Sequence, residues 1–367
     1  MIVDKRPFSL LCLTSLLCLV VGGVPIIVNT QFVTSSQSVI ENNLPISPAT
    51  DELFLVPDSN LLLITRMDTS ALIKAKVTSE GLIQELGEFT IGTSASGLHG
   101  ITHSKVFPGK IWLSLVDDNK LLLIDHNTDS VTAAPIVLKE IDIPAPGSGP
   151  RYVREYGDEL WVSLRLSFDV LRINIHDPSD YTIYNALRAP LLITKHPINK
   201  KIYVTEDFSA AIIEIDPETG LTKQIPITHG QTPTGIHSGP KGAWFSLLGN
   251  FTHGAGKFGR VNEDDSIEYY QLTSPLGRDA ALYNLGFSVD SDIDHILWLE
   301  GSSLINNDAT NMLVRVKFDD EWETIVSEDV IVMPTQQSVA HDLLVTKTNV
   351  FVTERTASKL FSYHHSF

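Results

Sequence analysis

The chain has 367 residues, 43% of them hydrophobic and 19% charged, with a formal net charge of −17. Such a composition describes an ordinary globular protein rather than a disordered one, and the acidic excess argues against nucleic acid or an anionic membrane surface as partner. The length exceeds most single cores, unless the chain is a closed repeat array in which each unit packs only on its neighbours.

Residues 1–23 read as a cleaved secretory signal peptide: Lys5 and Arg6, the apolar run Phe8–Val21, then Gly22 and Gly23 at the cleavage point. The alternative is a retained anchor, since Pro25–Val28 prolongs the apolar stretch, although Gly22, Gly23 and Pro25 interrupt it. Cys12 and Cys18 both lie in this leader, so a mature domain of residues 24–367 has no disulfide, thiol nucleophile or thiolate metal site. The expected location is the secretory pathway or the cell exterior, with no membrane contact after cleavage. The one sequon, Asn250-Phe251-Thr252, is then a glycosylation site on a loop.

From residue 51 onward a short apolar strand recurs: LLLIT after Asn60, IWLSL from Ile111, LWVSL from Leu160, IYVTE from Ile202, AWFSL from Ala243, LWLEG from Leu297 and VFVTE from Val350. Its central positions, Leu62, Trp112, Trp161, Tyr203, Trp244, Trp298 and Phe351, are 41–54 residues apart, close to the roughly 40–50 residues of a four-stranded propeller blade. Alternation dominates over helical spacing, and turns such as Asp216–Gly220 and Asn262–Ser266 punctuate it. These features predict an all-β fold, a seven-bladed β-propeller of four-stranded antiparallel blades. The last repeat supplies three strands only, so the segment around Ile26–Val39 is expected to add the fourth and close the ring.

The turns between third and fourth strands are short and polar. Long irregular pieces fall on the opposite face, including Leu248–Lys257, Gly301–Met312 and Ser274–Asn284. Long loops on a rigid scaffold are where binding concentrates, which puts the mouth of a site over blades 5 and 6.

Three runs carry a family resemblance: Pro233–Ile236 with Ala243–Ser246 and Phe258–Val261, Leu98–Ile101 with Ile111–Ser114, and Gly149–Val153 with Leu160–Ser163. This pattern resembles the virginiamycin B lyase family of seven-bladed propellers over most of Asp51–Phe367. The resemblance implies a β-eliminating enzyme whose metal is held by two histidines and by glutamates. His99 fits the histidine position and His341 fits it approximately, but Gly97 and Leu115-Val116 stand where the glutamates belong, so the metal mechanism does not carry over. Calcium-dependent lactonase propellers match no better, because Arg151 and Thr234 occupy their ligand positions, and a guanidinium opposes a cation. The length, the leader and its cysteines are also similar to those of secreted fungal propellers of the hetero-Diels–Alderase type in tropolone–sesquiterpenoid biosynthesis. That likeness implies dehydration of an alcohol to a quinone methide and its guided cycloaddition to a terpene, with no metal or other cofactor.

The candidate catalytic residues are His99 and His341, at inner-strand starts and poised for proton transfer near neutrality, Arg151 as anchor for a phenolate or carboxylate, and Glu300, which leads into the longest loop. Glu206 and Glu354 end strands in the same register as Glu300 and cap the loop face or pair with an arginine such as Arg355. Tyr283 and Asn284 are expected to hydrogen-bond the substrate, Thr234 to contact it from an otherwise scaffolding strand, and Phe245 and Phe251 to form an apolar lip beside His253. The tryptophans read as inter-blade core, and His364-His365 as an exposed tail. The leading reading is a metal-independent enzyme acting on a small-molecule substrate. The alternatives are a metal-dependent lyase or lactonase, and a non-catalytic secreted binding propeller.

Overall fold

The computed structural model describes residues 17–21, 24–31, 38–45, 49–127 and 130–365, with side chains from 38 onward. Seven antiparallel blades of four strands form the ring. Their inner strands are Thr50–Leu55, Leu98–His103, Pro150–Tyr156, Pro190–Lys195, Pro233–Gly239, Leu282–Phe287 and Ala340–Val345, in blades 1 to 7. The helical content among the described residues is one turn at Ser291–Asp294 and a 3-10 turn at Gly277–Asp279. The ring closes where Val39–Asn43 pairs with Lys359–His364 as the outer strand of blade 7. Closure by an N-terminal strand thus occurs a few residues later than expected. Residues Val24–Gln31 instead lie parallel to the outer strand of blade 6, Ile325–Val332, with Leu17–Val21 hairpinned against them. The leader expected at 1–23 falls largely outside the described residues.

The recurrent second strand packs between blades. Trp112, Trp161, Trp244 and Trp298 are fully buried, each facing the next blade. In blade 1 the pairing of Leu53 with Ile64 puts Leu63, not Leu62, at the tryptophan position. The run of three leucines disguises that register. The tail is not exposed either, since His365 is buried against Trp298, ring centroids 5.5 Å apart.

Every inner strand carries the same irregularity near its start. Regular pairing breaks between Thr50 and Leu53, Leu98 and Ile101, Pro150 and Val153, Pro190 and Ile193, Pro233 and Ile236, Leu282 and Asn284, and Ala340 and Leu343. A bulge leaves backbone groups without ladder partners and re-aims side chains. Here the Ser or Thr of the second strand supplies the missing partner. Ser114 Oγ accepts from Gly100 N (2.8 Å) and donates to Arg151 O (2.6 Å) of the next blade. Thr65, Ser246 and Thr353 make the same pair of bonds, reaching His99 O, Tyr283 O and Asp51 O respectively. The hydroxyl therefore satisfies one blade and latches it to the next. A Cβ on Gly100 would lie 2.3 Å from Arg151 O, so the bulge admits only glycine where the neighbouring strand comes this close.

Candidate functional site

The bulges turn one residue per blade toward the hub axis: Asp51, His99, Arg151, Leu191, Thr234, Tyr283 and His341. A cavity of about 380 Å³ opens above blades 3 to 7 of this ring, lined by Arg151, Leu191, Thr234, Tyr283 and His341. Loop residues beyond the second strands complete the wall: Arg165, Asp207, Phe208, Leu248, Phe251, Leu304, Ile305 and Arg355. These loops form a connected crescent. Arg165 Nη2 meets Asp207 at 2.6 Å, Phe208 stacks on Phe251 at 5.3 Å, and Asn306 Nδ2 donates to Thr252 O at 3.0 Å.

Tyr283 lies at the centre of the polar floor. Its Oη is 3.1 Å from Tyr152 Oη and 3.3 Å from His341 Nε2. Burial pushes both phenols well above their usual range, so both stay protonated at neutral pH. Burial, reinforced by nearby guanidinium groups, pushes His99 and His341 well below the ordinary imidazole range. Arg151 Nε donates to His99 Nε2 at 2.9 Å. A guanidinium N–H is an obligatory donor, so His99 Nε2 must be the acceptor and its ring is neutral, with the proton on Nδ1.

This geometry relocates several expected residues. Arg151, His341, Tyr283, Thr234 and Phe251 line the cavity. His99 is fully buried behind Arg151 with its lone pair occupied, and does not reach the cavity. Glu300 is 0% exposed and lies off the cavity wall, with both oxygens unpartnered. It occupies the latch position of blade 6, pairing with Asn284, one residue before the register of Glu206 and Glu354, which pair with Pro190 and Ala340. Burial, then the neighbouring Asp342 and Glu52, hold its carboxyl well above the usual range. Asn284 is turned beneath the floor, its Nδ2 donating to Asp342 Oδ1 at 2.9 Å. Phe245 is no lip residue: strand alternation drives it, 0% exposed, into the core between blades 4 and 5. Thr234 is held by its own Oγ1, which donates to Tyr283 O at 2.6 Å. Glu206 does cap the loop face, accepting from Leu187 N and Arg188 N at 2.8 and 2.9 Å. Arg355 pairs with Asp51 rather than a glutamate, at 2.9 Å. Asn250 heads a turn in which its Oδ1 accepts from Thr252 N and Oγ1.

Sequence reasoning missed Asp51, Tyr152, Arg165, Asp207 and Arg355. A usable signal exists for three of them, since Arg165, Asp207 and Arg355 each lie two residues beyond the latch hydroxyls Ser163, Thr205 and Thr353. Leu248, two beyond Ser246, completes the set.

One carboxylate and two imidazoles converge: Asp51, His99 and His341 present ligand atoms within 4.8 Å of one another. The trio does not fit a divalent cation. Arg355 Nε already donates to Asp51 Oδ1, Arg151 Nε occupies the His99 lone pair, and Tyr283 is bonded to His341 Nε2. A metal would have to displace two half-buried guanidinium groups whose charge opposes it.

No protein-family model matches the chain, and no characterised protein matches it by sequence. Among solved structures it is similar to virginiamycin B lyase from Staphylococcus aureus, with 18% identity and a TM-score of 0.67 over 89% of this chain and 99% of that one. A streptogramin B lyase structure gives 18% identity and a TM-score of 0.66, over 88% and 96%. YCF48 bound to a D1 peptide gives 13% and 0.63, over 91% and 97%. At these identities the likeness is one of fold, and it spans a lyase and a peptide-bound protein alike.

Proposed function

We propose that the hub is the active site of a metal-independent enzyme that eliminates water from a small organic alcohol and then orients the reactive product for ring-forming addition, the hetero-Diels–Alderase type of chemistry. A lyase-like propeller fold is compatible with it. The observation that carries the reading is the Tyr152–Tyr283–His341 chain at the floor of a cavity with both polar and apolar walls.

In this reading, His341 Nε2–H and Tyr152 Oη–H both donate to the Tyr283 oxygen, which leaves the Tyr283 proton facing the cavity. Arg151 holds the phenolate end of an ortho-hydroxymethyl phenol. The phenolate electron pair moves into the ring and forms the exocyclic C=C bond as the C–O bond breaks. The departing oxygen takes the Tyr283 proton and leaves as water. Two donors at 3.1 and 3.3 Å then stabilise the tyrosinate, which solvent reprotonates. The apolar wall of Leu191, Phe208, Leu248 and Phe251 holds the quinone methide against an alkene, and such orientation lowers a barrier by several kcal/mol, up to roughly 7–11 in ideal cases.

The test is turnover of an ortho-hydroxymethyl phenol with an electron-rich alkene, with the adduct followed by mass spectrometry. Tyr283→Phe is expected to lower kcat by roughly 10²–10⁴-fold with little change in KM, and exhaustive chelation to leave the wild-type rate unchanged. A wild-type rate no faster than buffer across phenols of this class, or a Tyr283→Phe variant as fast as wild type, defeats the reading.

A further inference from the structure

A count of charges in the cavity points to the kind of molecule it takes, and this step rests on the hub being a ligand site as read above. Three guanidinium groups line the wall. Arg165 is paired with Asp207 at 2.6 Å and Arg355 with Asp51 at 2.9 Å. Among the described residues, no carboxylate lies within ion-pair distance of Arg151, whose Nε is bound to His99. That imidazole is neutral and offers no compensating charge. Burial raises the carboxyls of Glu52 and Glu300 beneath the floor well above their usual range, and Asp342 is engaged there by Leu53 N and Asn284 Nδ2. Arg151 is therefore the guanidinium of this wall that has no carboxylate partner of its own among the described residues, in a chain whose net charge is −17.

An uncompensated guanidinium in a low-dielectric site is costly unless a ligand completes it. Its Nη edge is the fork that matches a planar anion with two hydrogen bonds. The wall over blades 4 and 5 is apolar, and its two rings, Phe208 and Phe251, are 51% and 66% exposed despite stacking on each other. Exposed aromatic area continuous with a cavity marks a place where an apolar body is meant to lie.

We propose that the hub selects a monoanionic amphiphile: a single carboxylate, enolate or phenolate on the Nη edge of Arg151, and an uncharged apolar body against Leu191, Leu248, Phe208 and Phe251. The acidic group is recognised locally, since the field of the whole chain repels anions. Uncharged analogues with the same body lose the Arg151 contact, and dianions exceed the single vacancy in charge.

The experiment is calorimetric titration of the full-length chain with 2-naphthoate and with 2-naphthamide, which share a body and differ in charge. Wild type is expected to prefer the acid by roughly 10- to 100-fold, the range for a charge-assisted hydrogen bond. Arg151→Gln is expected to bring that ratio close to one, and Phe251→Ala to weaken both ligands by a similar factor. Equal affinity of acid and amide for wild type overturns the proposal, as does a ratio unchanged in an Arg151→Gln variant that melts cooperatively. If Arg151→Gln does not fold, Arg151→Lys takes its place. A ratio reduced at least about threefold supports the fork geometry, and an unchanged ratio overturns it. This titration reads binding without turnover, so the failure of the catalytic reading and the failure of this one remain separate results.

Discussion

At the scale of single residues, the hub separates groups that touch a ligand from groups that hold those in place. His99 belongs to the second kind. Its neutral Nε2 accepts from Arg151 Nε, so removal of the ring frees the arginine without deleting a proton donor. His99→Ala is expected to raise KM by roughly 3- to 10-fold and leave kcat within about twofold, whereas His99→Gln, whose amide oxygen can accept the same bond, restores much of the KM. A fall in kcat comparable to that of Tyr283→Phe would return His99 to a direct part in proton transfer. The residue type and its position after Gly97 marked His99 as a hub residue, and that much was legible. What the sequence could not reveal was the arginine one blade away. Occupation of a lone pair is a three-dimensional fact, and it converts the best acid–base candidate into a support.

At the scale of the element, the bulge and its latch set the hub. Ser114→Ala leaves Gly100 N–H and Arg151 C=O without their partner in a buried seam, at a cost of about 1–3 kcal/mol. The same substitution at Ser238, exposed on the inner strand of blade 5, is expected to be neutral. Thermal melts of both variants check the difference, and equal melting temperatures would mean that water satisfies the seam as well as the hydroxyl does. The hydroxyl was visible in the repeat as an unexplained Ser or Thr after the apolar triplet. Its function was not visible, because one bond runs within the blade and the other to the next blade, 34–37 residues away for Thr65, Ser114 and Ser246 and across the ring closure for Thr353. Blade 6 carries Glu300 at that position, and Ser302 reaches Ala340 O instead at 2.6 Å. A rule drawn from the other blades would have moved Glu300 from the mouth to the seam. Blade 1 failed for a different reason: with leucine in place of tryptophan, nothing in its sequence distinguishes Leu62 from Leu63, and Asp51 was lost with the register.

At the scale of the whole molecule, the strand that closes the ring packs beside a buried carboxyl of blade 7. The seven-fold repeat made the architecture legible almost completely, since periodic apolar strands encode neighbours rather than distant partners. The closing seam had no such repeat to read. Glu354, fully buried at the end of the second strand of blade 7, faces Glu41 of the closing strand, and burial raises its carboxyl to about 7. Burial likewise raises Asp342 to about 6. An acid whose folded pKa exceeds its unfolded value binds its proton more tightly in the folded state. Its ionisation therefore destabilises the fold as pH rises through roughly 4.5 to 7, and the cost is complete above pH 7. His237 acts in the opposite sense: burial lowers it to about 4, so stability is lost as pH falls from about 6.5 to 4, where only the unfolded chain takes up that proton. The two acids outweigh the single imidazole, so the melting temperature is accordingly expected to rise by a few degrees from pH 8 to pH 5, an alkaline limb with the acids as its cause. Glu354→Gln removes the charge and keeps the shape, and is expected to flatten the alkaline limb, because the Asp342 and His237 shifts that remain oppose each other. A flat wild-type profile between pH 6 and 8, or an alkaline limb unchanged in Glu354→Gln, would show that the seam between Val39–Asn43 and blade 7 holds without regard to this proton.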